Sequence, residues 1–131
     1  MNCLEAVRMI EALKAYLESK GYKNITCDFM PDVSKRVQAI NIAQWSHTVG
    51  SINDGTGTRY IQVQCRDTTR DKAYKACSEI FKLLDSGTEE HVINLTDTVS
   101  CIARPRRGPL ILERGSGYVT FYCEIALWGE N

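Results

Sequence analysis

The chain has 131 residues, of which 44% are hydrophobic and 24% charged, and its 16 basic residues balance its 16 acidic residues. These proportions are typical of a globular domain and exclude a disordered chain, while zero net charge gives no broad attraction to nucleic acid or anionic membranes. The charged N-terminus lacks the apolar core of a signal peptide, and no run approaches the roughly 18 apolar residues of a membrane span. We therefore expect a single domain over residues 1–131.

The first half of the chain predicts one helix followed by two strands. Apolar residues spaced i, i+3, i+4 and i+7 predict an amphipathic helix over residues 3–20, with Gly21 as its C-terminal cap. Alternation predicts a strand over residues 24–30, and the segment Arg36–Trp45 is a second strand candidate. Turn-forming residues with few apolar side chains predict a loop from Ser46 to Thr58.

The second half of the chain predicts a strand, a helix and three more strands. The segment "RYIQVQCR", residues 59–66, alternates between an apolar face and a polar face. Either Thr68 or Thr69 caps the next helix, which Gly87 ends. The three strand candidates that follow are Val99–Arg104, Leu110–Arg114 and Tyr118–Trp128, and a turn at Gly115-Ser116-Gly117 joins the last two. This order predicts an α+β domain with a mostly antiparallel sheet and two helices packed on one face.

The six cysteines resemble a possible disulfide set, but their context favours reduced thiols in the core. None forms a C-x-x-C pair, which gives little support to a zinc or redox motif, and each lies in an apolar stretch. They are Cys3, Cys27, Cys65, Cys77, Cys101 and Cys123. A chain of this length needs no disulfides to fold.

No catalytic, metal or cofactor site is predicted. Gly55 and Gly57 have the composition of a phosphate-binding loop, but they precede a strand instead of joining a strand to a helix. His47 and His91 are expected in polar loops, with no recognisable set of nucleophile and carboxylate beside them. We therefore expect that the protein is not an enzyme and binds no cofactor.

The strongest local charge is "RPRRGP", in which Arg104, Arg106 and Arg107 lie between Pro105 and Pro109. The prolines predict a protruding connection between two strands. Its arginines would contact a phosphate backbone or an acidic partner, or they would form a solvated loop; the sequence leaves both readings open.

Aromatic residues on the polar face of the last strand are the second unusual feature. Tyr118, Tyr122 and Trp128 alternate with the apolar positions of this strand. Aromatic residues concentrate at protein interfaces, so this face predicts a docking surface. The alternative is that a helix or loop of the same chain covers them.

The segment "GTGTRYIQVQCRDTTRDKAYKACSEIFKLL" resembles small tail-completion proteins of long-tailed phages, known as minor capsid or tail terminator proteins. In that family a glycine-containing loop leads to a strand of the form aromatic–apolar–x–Val–x–x–Arg. A "Ser/Thr-x-x-x-Ala-Tyr" helix start and an apolar helix ending in "I-x-x-x-L" follow. The matching positions are Tyr60, Ile61, Val63, Arg66, Thr69, Ala73, Tyr74, Ile80 and Leu84. The upstream "AINIAQW" and the downstream "ARPRRGPLILERGSGYVTFYCEIALW" fit the family's order of elements.

The resemblance implies a non-enzymatic structural protein that forms a ring, often of six subunits, at the head-proximal end of the tail. Such a ring stops polymerisation of the tube and provides the surface that joins the head. The implied partners are other copies of the chain, the tail tube protein and a head-completion protein. The implied location is the head–tail junction of the virion, and the host cytoplasm during assembly. No membrane is expected, and nucleic acid only through the bore of the ring.

Ring-forming subunits need head-to-tail interfaces in which two different patches meet. The candidate interface residues are Asn53, Asp54, Thr56, Arg104, Arg106, Arg107, Tyr118, Tyr122 and Trp128. The alternatives are another head–tail connector protein and a small nucleic-acid-binding module.

Overall fold

The computed structural model describes residues 3–31, 37–49 and 57–130. In chain order the elements are α1 (Cys3–Ser19), β1 (Ile25–Cys27), β2 (Ala39–Val49), β3 (Gly57–Asp67), α2 (Arg70–Leu83), β4 (Ile93–Asn94), β5 (Ser100–Gly115) and β6 (Tyr118–Glu130). Two helices and six strands over these residues agree with the predicted α+β class. Neither helix is long and apolar enough to cross a membrane.

The six strands form one sheet with the order β1-β2-β3-β6-β5-β4. β1 is parallel to β2, and the other four pairings are antiparallel. β6 is the last strand in the chain, yet it lies between β3 and β5. The register places Ile61 opposite Ile125 and Val63 opposite Cys123, so the apolar positions of the two strands share one face.

The core lies between this apolar face and the helices. α2 contacts β3, β5 and β6, and α1 contacts β1. Fully buried residues of both helices, including Leu13, Leu17 and Ile80, join one hydrophobic cluster with the sheet. Ile61, Val63 and Cys65 are also fully buried, which confirms the alternation that the sequence predicts for β3.

Local capping explains where the two helices begin and end. After α1, Gly21 has a φ of +98°, and the N–H of Tyr22 donates to the carbonyl of Leu17 at 3.2 Å. At the start of α2, Thr69 rather than Thr68 is the N-cap, because its side chain accepts from the N–H of Lys72 at 3.3 Å.

The predicted end of α2 at Gly87 is wrong. The helix ends at Leu83, and the N–H of Leu84 closes it by donating to the carbonyl of Ile80 at 3.0 Å. Gly87 lies beyond it in a turn that spans residues 87–90, where its φ is +73°. A glycine at positive φ therefore marks a turn here instead of a helix cap.

The predicted loop from Ser46 to Thr58 is wrong at both ends. β2 continues to Val49 and β3 already begins at Gly57, with Val49 opposite Gly57. This extension is made by main-chain pairing, which does not require the apolar alternation on which the prediction depended. His47 accordingly lies in a strand and not in a loop.

The predicted connection "RPRRGP" is also wrong, because it lies inside β5. The two strand candidates Val99–Arg104 and Leu110–Arg114 are parts of this one strand, whose pairing with β6 shifts register at three places. On the edge of β5 that faces away from β6, the N–H of Ser86 donates to the carbonyl of Ala103 at 2.8 Å, and the N–H of Ala103 donates to the Ser86 hydroxyl at 2.9 Å. Main-chain groups two residues apart point to the same edge of a strand, so the nitrogen of Pro105 also faces away from β6. Its lack of an N–H therefore costs no hydrogen bond to β6.

The turn predicted between the last two strands is confirmed. Gly115 pairs with Tyr118, and Ser116 and Gly117 form the turn between them. Gly117 has a φ of +80°, a conformation that glycine adopts without steric strain.

Candidate interaction surface

The sheet has a second face, turned away from the core, which is polar and aromatic. The register places Tyr60 opposite Ala126, and Ala126 opposite Arg104. Two residues further along β3, Gln62 is opposite Glu124, and Glu124 is opposite Arg107. Residues directly opposite each other share a face. We call this surface the outer face; it comprises Tyr60, Gln62, Gln64, Arg104, Arg106, Arg107, Tyr122, Glu124, Ala126 and Trp128.

Arg104 joins the outer face to the turn after α2. Its guanidinium carbon lies 5.7 Å from the centroid of the Trp128 ring, within the range of a cation–π contact. Its Nη2 also forms an ion pair with Glu90. The Arg104 charge therefore has a carboxylate partner within the chain.

Arg106 crosses the sheet to reach a strand that is not its neighbour. Its guanidinium carbon lies 5.0 Å from the centroid of Tyr60, and Nη1 lies 3.4 Å from the Tyr60 hydroxyl. Arg106 is on β5 and Tyr60 on β3, so the side chain passes over β6, which lies between them. Ala126 is opposite Tyr60 on β6, and its small side chain leaves room for this crossing. Ala126 is only 1% exposed although it lies on the outer face, as expected if neighbouring side chains cover it.

Arg107 is exposed and lies opposite Glu124. Among the residues whose side chains the structure describes, no carboxylate oxygen comes within 4.0 Å of a nitrogen of Arg106 or Arg107. The arginine-rich end of the outer face thus carries one cation with a carboxylate partner, Arg104, and two that have none among the described side chains.

The structure brings together some of the candidate residues but not all of them. Arg104, Arg106, Arg107, Tyr122 and Trp128 share the outer face. Tyr118 lies next to the hairpin turn, where its hydroxyl donates to Oε1 of Glu113 at 2.7 Å. The other candidates, Asn53, Asp54 and Thr56, lie outside the described residues.

Tyr60 was not among the candidates, although it forms the aromatic half of the Arg106 contact. Its position on the polar side of β3 was visible in the alternation of residues 59–66. The missing information was the pairing of β3 with β6, which places Tyr60 within reach of the arginines.

The structure shows no arrangement that is typical of a catalytic site in the described residues. An open groove of about 670 Å³ between α2 and β5 is lined by Phe81, Lys82, Asp85, Gly87, Thr88, Arg104 and Pro105. None of these described lining residues is a histidine or a cysteine that could serve as base or nucleophile. His91 is exposed elsewhere, with Nε2 3.0 Å from Oε2 of Glu89. No group of three or more histidine, cysteine or acidic residues in the described part of the chain could hold a metal.

Three thiols meet in the core where α2 packs on the sheet. Cys77 of α2 is hydrogen-bonded to Cys123 and to Cys65, and these bonds lower its pKa. The same bonds, together with burial, raise the pKa of Cys65 and of Cys123. All three side chains are fully buried, so the cluster contributes to packing and is closed to substrates. The five cysteines whose side chains are described are free, as the sequence predicts.

Comparison with known families identifies the kind of protein to which this fold belongs. Residues 14–116 match the family described as bacteriophage tail terminator protein. The chain belongs to this family. The match confirms the resemblance seen in the sequence and makes the protein a structural component of a phage tail. No curated protein matches the chain significantly.

The residues that match the family include only part of the outer face. It begins within α1 and ends in the turn before β6. It therefore includes Tyr60, Arg104, Arg106 and Arg107, whereas Tyr118, Tyr122 and Trp128 lie beyond it.

Proposed function

We propose that this protein ends the growth of a phage tail tube by forming a ring of identical subunits on it, and that the ring provides the surface to which the head joins. The observation that carries the proposal is the match to the tail terminator family over residues 14–116. The protein acts by contact and not by catalysis. Its partners are further copies of itself, the tail tube protein and a head-completion protein, at the head–tail junction of the virion after assembly in the host cytoplasm.

The architecture supports a role in contact. Both helices lie on the core side of a mainly antiparallel sheet, which leaves the outer face for partners. A closed ring, six subunits in our proposal, needs two different patches on each subunit that fit each other. We assign one patch to the outer face, with Arg104, Tyr122 and Trp128 at its centre, and extend it to Tyr118. We assign the other to the segment containing Asn53, Asp54 and Thr56.

Electron microscopy of the purified protein mixed with tail tubes tests the function. We expect rings and capped tubes whose length no longer increases when tube protein is added. Tubes that keep growing at the same rate, with no ring at their ends, would contradict the proposed function.

Replacing both Tyr122 and Trp128 with Ser tests the patch. Removing two large aromatic groups from an interface centre typically weakens association by more than about 2 kcal/mol each, so we expect a folded monomer by size-exclusion chromatography. Tyr74→Ser is the matched control, because Tyr74 is an aromatic residue of α2 that is 44% exposed on the other side of the sheet. If the double variant elutes as the wild type does, the patch is assigned to the wrong surface.

A further inference from the structure

We propose that the contact between Arg106 and Tyr60 is a docking point for a carboxylate of a partner protein, so that the outer face binds an acidic protein segment and not nucleic acid. The inference rests on the proposed function in one respect, since it takes the partner to be another protein of the virion. The arginine-rich end of the outer face carries the inference.

Arg104 and Arg106 differ in whether a carboxylate of the chain neutralises their charge. Both guanidinium groups lie over an aromatic ring, but Arg104 also pairs with Glu90. Arg106 contacts the ring and hydroxyl of Tyr60, which orient the guanidinium without neutralising its charge. Arg106 is therefore a positioned cation with no carboxylate partner among the described side chains.

The guanidinium of Arg106 has a shape that suits a carboxylate. A guanidinium is planar, and its parallel N–H groups match the two oxygens of one carboxylate. Contact with Tyr60 restricts the side chain before binding, which lowers the entropy that docking would remove. Arg107 is exposed next to it and adds a second positive charge.

The carboxylates around Arg106 and Arg107 favour an acidic protein segment over nucleic acid. Glu124 lies opposite Arg107, and Glu90 pairs with Arg104, so carboxylates lie on both sides of the two arginines that have no carboxylate partner among the described side chains. A nucleic-acid backbone carries a charge on every nucleotide and would meet these carboxylates along the surface, whereas one carboxylate side chain fits between them. The chain has zero net charge, which gives a polyanion no long-range attraction.

Fluorescence anisotropy at low salt with a labelled peptide that carries one glutamate among serine and glycine residues tests the inference. We expect the Kd to rise about tenfold in Arg106→Gln, the smaller end of what a hydrogen-bonded charge pair contributes. Arg106→Lys keeps the charge but loses the planar fork, so we expect a rise of about threefold. Arg114→Gln is the matched control, since it removes another exposed arginine at the hairpin end of β5; its Kd should change by less than about twofold.

Three results would overturn the inference. They are an unchanged Kd in Arg106→Gln, an equal loss in Arg114→Gln, and tighter, Arg106-dependent binding of a duplex DNA of about 20 base pairs. Electron microscopy of the same preparations separates this inference from the proposed function. Rings on tubes without Arg106-dependent peptide binding would overturn the inference alone. Arg106-dependent binding by a protein that never caps tubes would overturn the proposed function.

Discussion

Burial alone changes the acid–base behaviour of the Cys101 thiol. This residue of β5 is 2% exposed, and burial raises its pKa from 9.0 to about 11. Between these two values the unfolded thiol loses its proton while the folded thiol keeps it. The stabilisation is therefore complete below about pH 9 and is lost as the pH rises toward 11, at up to about 1.4 kcal/mol per pH unit.

Cys101→Ala should remove this part of the pH dependence. From about pH 8 to about pH 10.5, the free energy of unfolding should fall by about 2 kcal/mol more in the wild type than in the variant. Urea unfolding at the two pH values measures the difference. Cys27→Ala is the control, because Cys27 is half-buried and should show a smaller effect. Equal pH dependence in the wild type and Cys101→Ala would contradict the assignment.

The contact between Arg106 and Tyr60 is the part of the site that the sequence could not predict. The three arginines and the aromatic residues of β6 were identifiable from charge and alternation. Arg106 and Tyr60 are 46 residues apart, however, and they meet because β6 brings β3 and β5 to its two sides. No local sequence pattern shows this strand order, so Tyr60 could be assigned to the docking point only from the folded chain.

Helix α2 begins at an N-cap for which the sequence offers two candidates, Thr68 and Thr69. In the structure Thr69 accepts from the N–H of Lys72, while the Thr68 hydroxyl lies 3.4 Å from Oδ1 of Asp67. Thr69→Ala should therefore lower the free energy of unfolding by about 0.5–2 kcal/mol, measured by urea unfolding. Thr88→Ala, in the exposed turn after α2, should change it by less than about 0.5 kcal/mol. If the two variants are equally stable, Thr69 does not cap the helix.

The elements that the sequence predicted well are those whose burial pattern is strict. α1, β3 and β6 each bury one side regularly, and the spacing of their apolar residues shows it. β5 was divided in two because prolines and arginines interrupt its pattern. β5 can accept Pro105 because its nitrogen faces away from β6, and the three register shifts accommodate the other residues that break the alternation. The short strand β4 pairs through two residues only, too few to produce a pattern.

For the whole molecule, the strand order shows why the fold depends on distant parts of the chain. β3 and β6 pair along ten positions from Thr58–Trp128 to Asp67–Val119, although more than 50 residues separate them in the sequence. The two-residue turn between β5 and β6 was predictable, because its signal is local. The insertion of β6 beside β3 was not, since it depends on which strand edges best bury the apolar face.

The position of β6 predicts that the matched segment cannot fold without the strand that follows it. A chain ending at Ser116 keeps the whole match to the tail terminator family but loses β6, and with it a pairing partner of both β3 and β5. It also loses Phe121, Cys123, Ile125 and Leu127 from the core. Burying a large apolar side chain contributes about 1.5–3 kcal/mol, so three of these residues alone approach the total of about 5–15 kcal/mol for a domain.

We therefore expect the chain of residues 1–116 to show no cooperative urea transition and no near-ultraviolet circular dichroism. The control is the chain of residues 1–130, which retains all of β6 and should unfold as the full chain does. A cooperative transition in the shorter chain would mean that β3 and β5 can pair without β6. In that case the outer face would not need β6 as its scaffold, and Tyr60 and Arg106 would have to meet by another route.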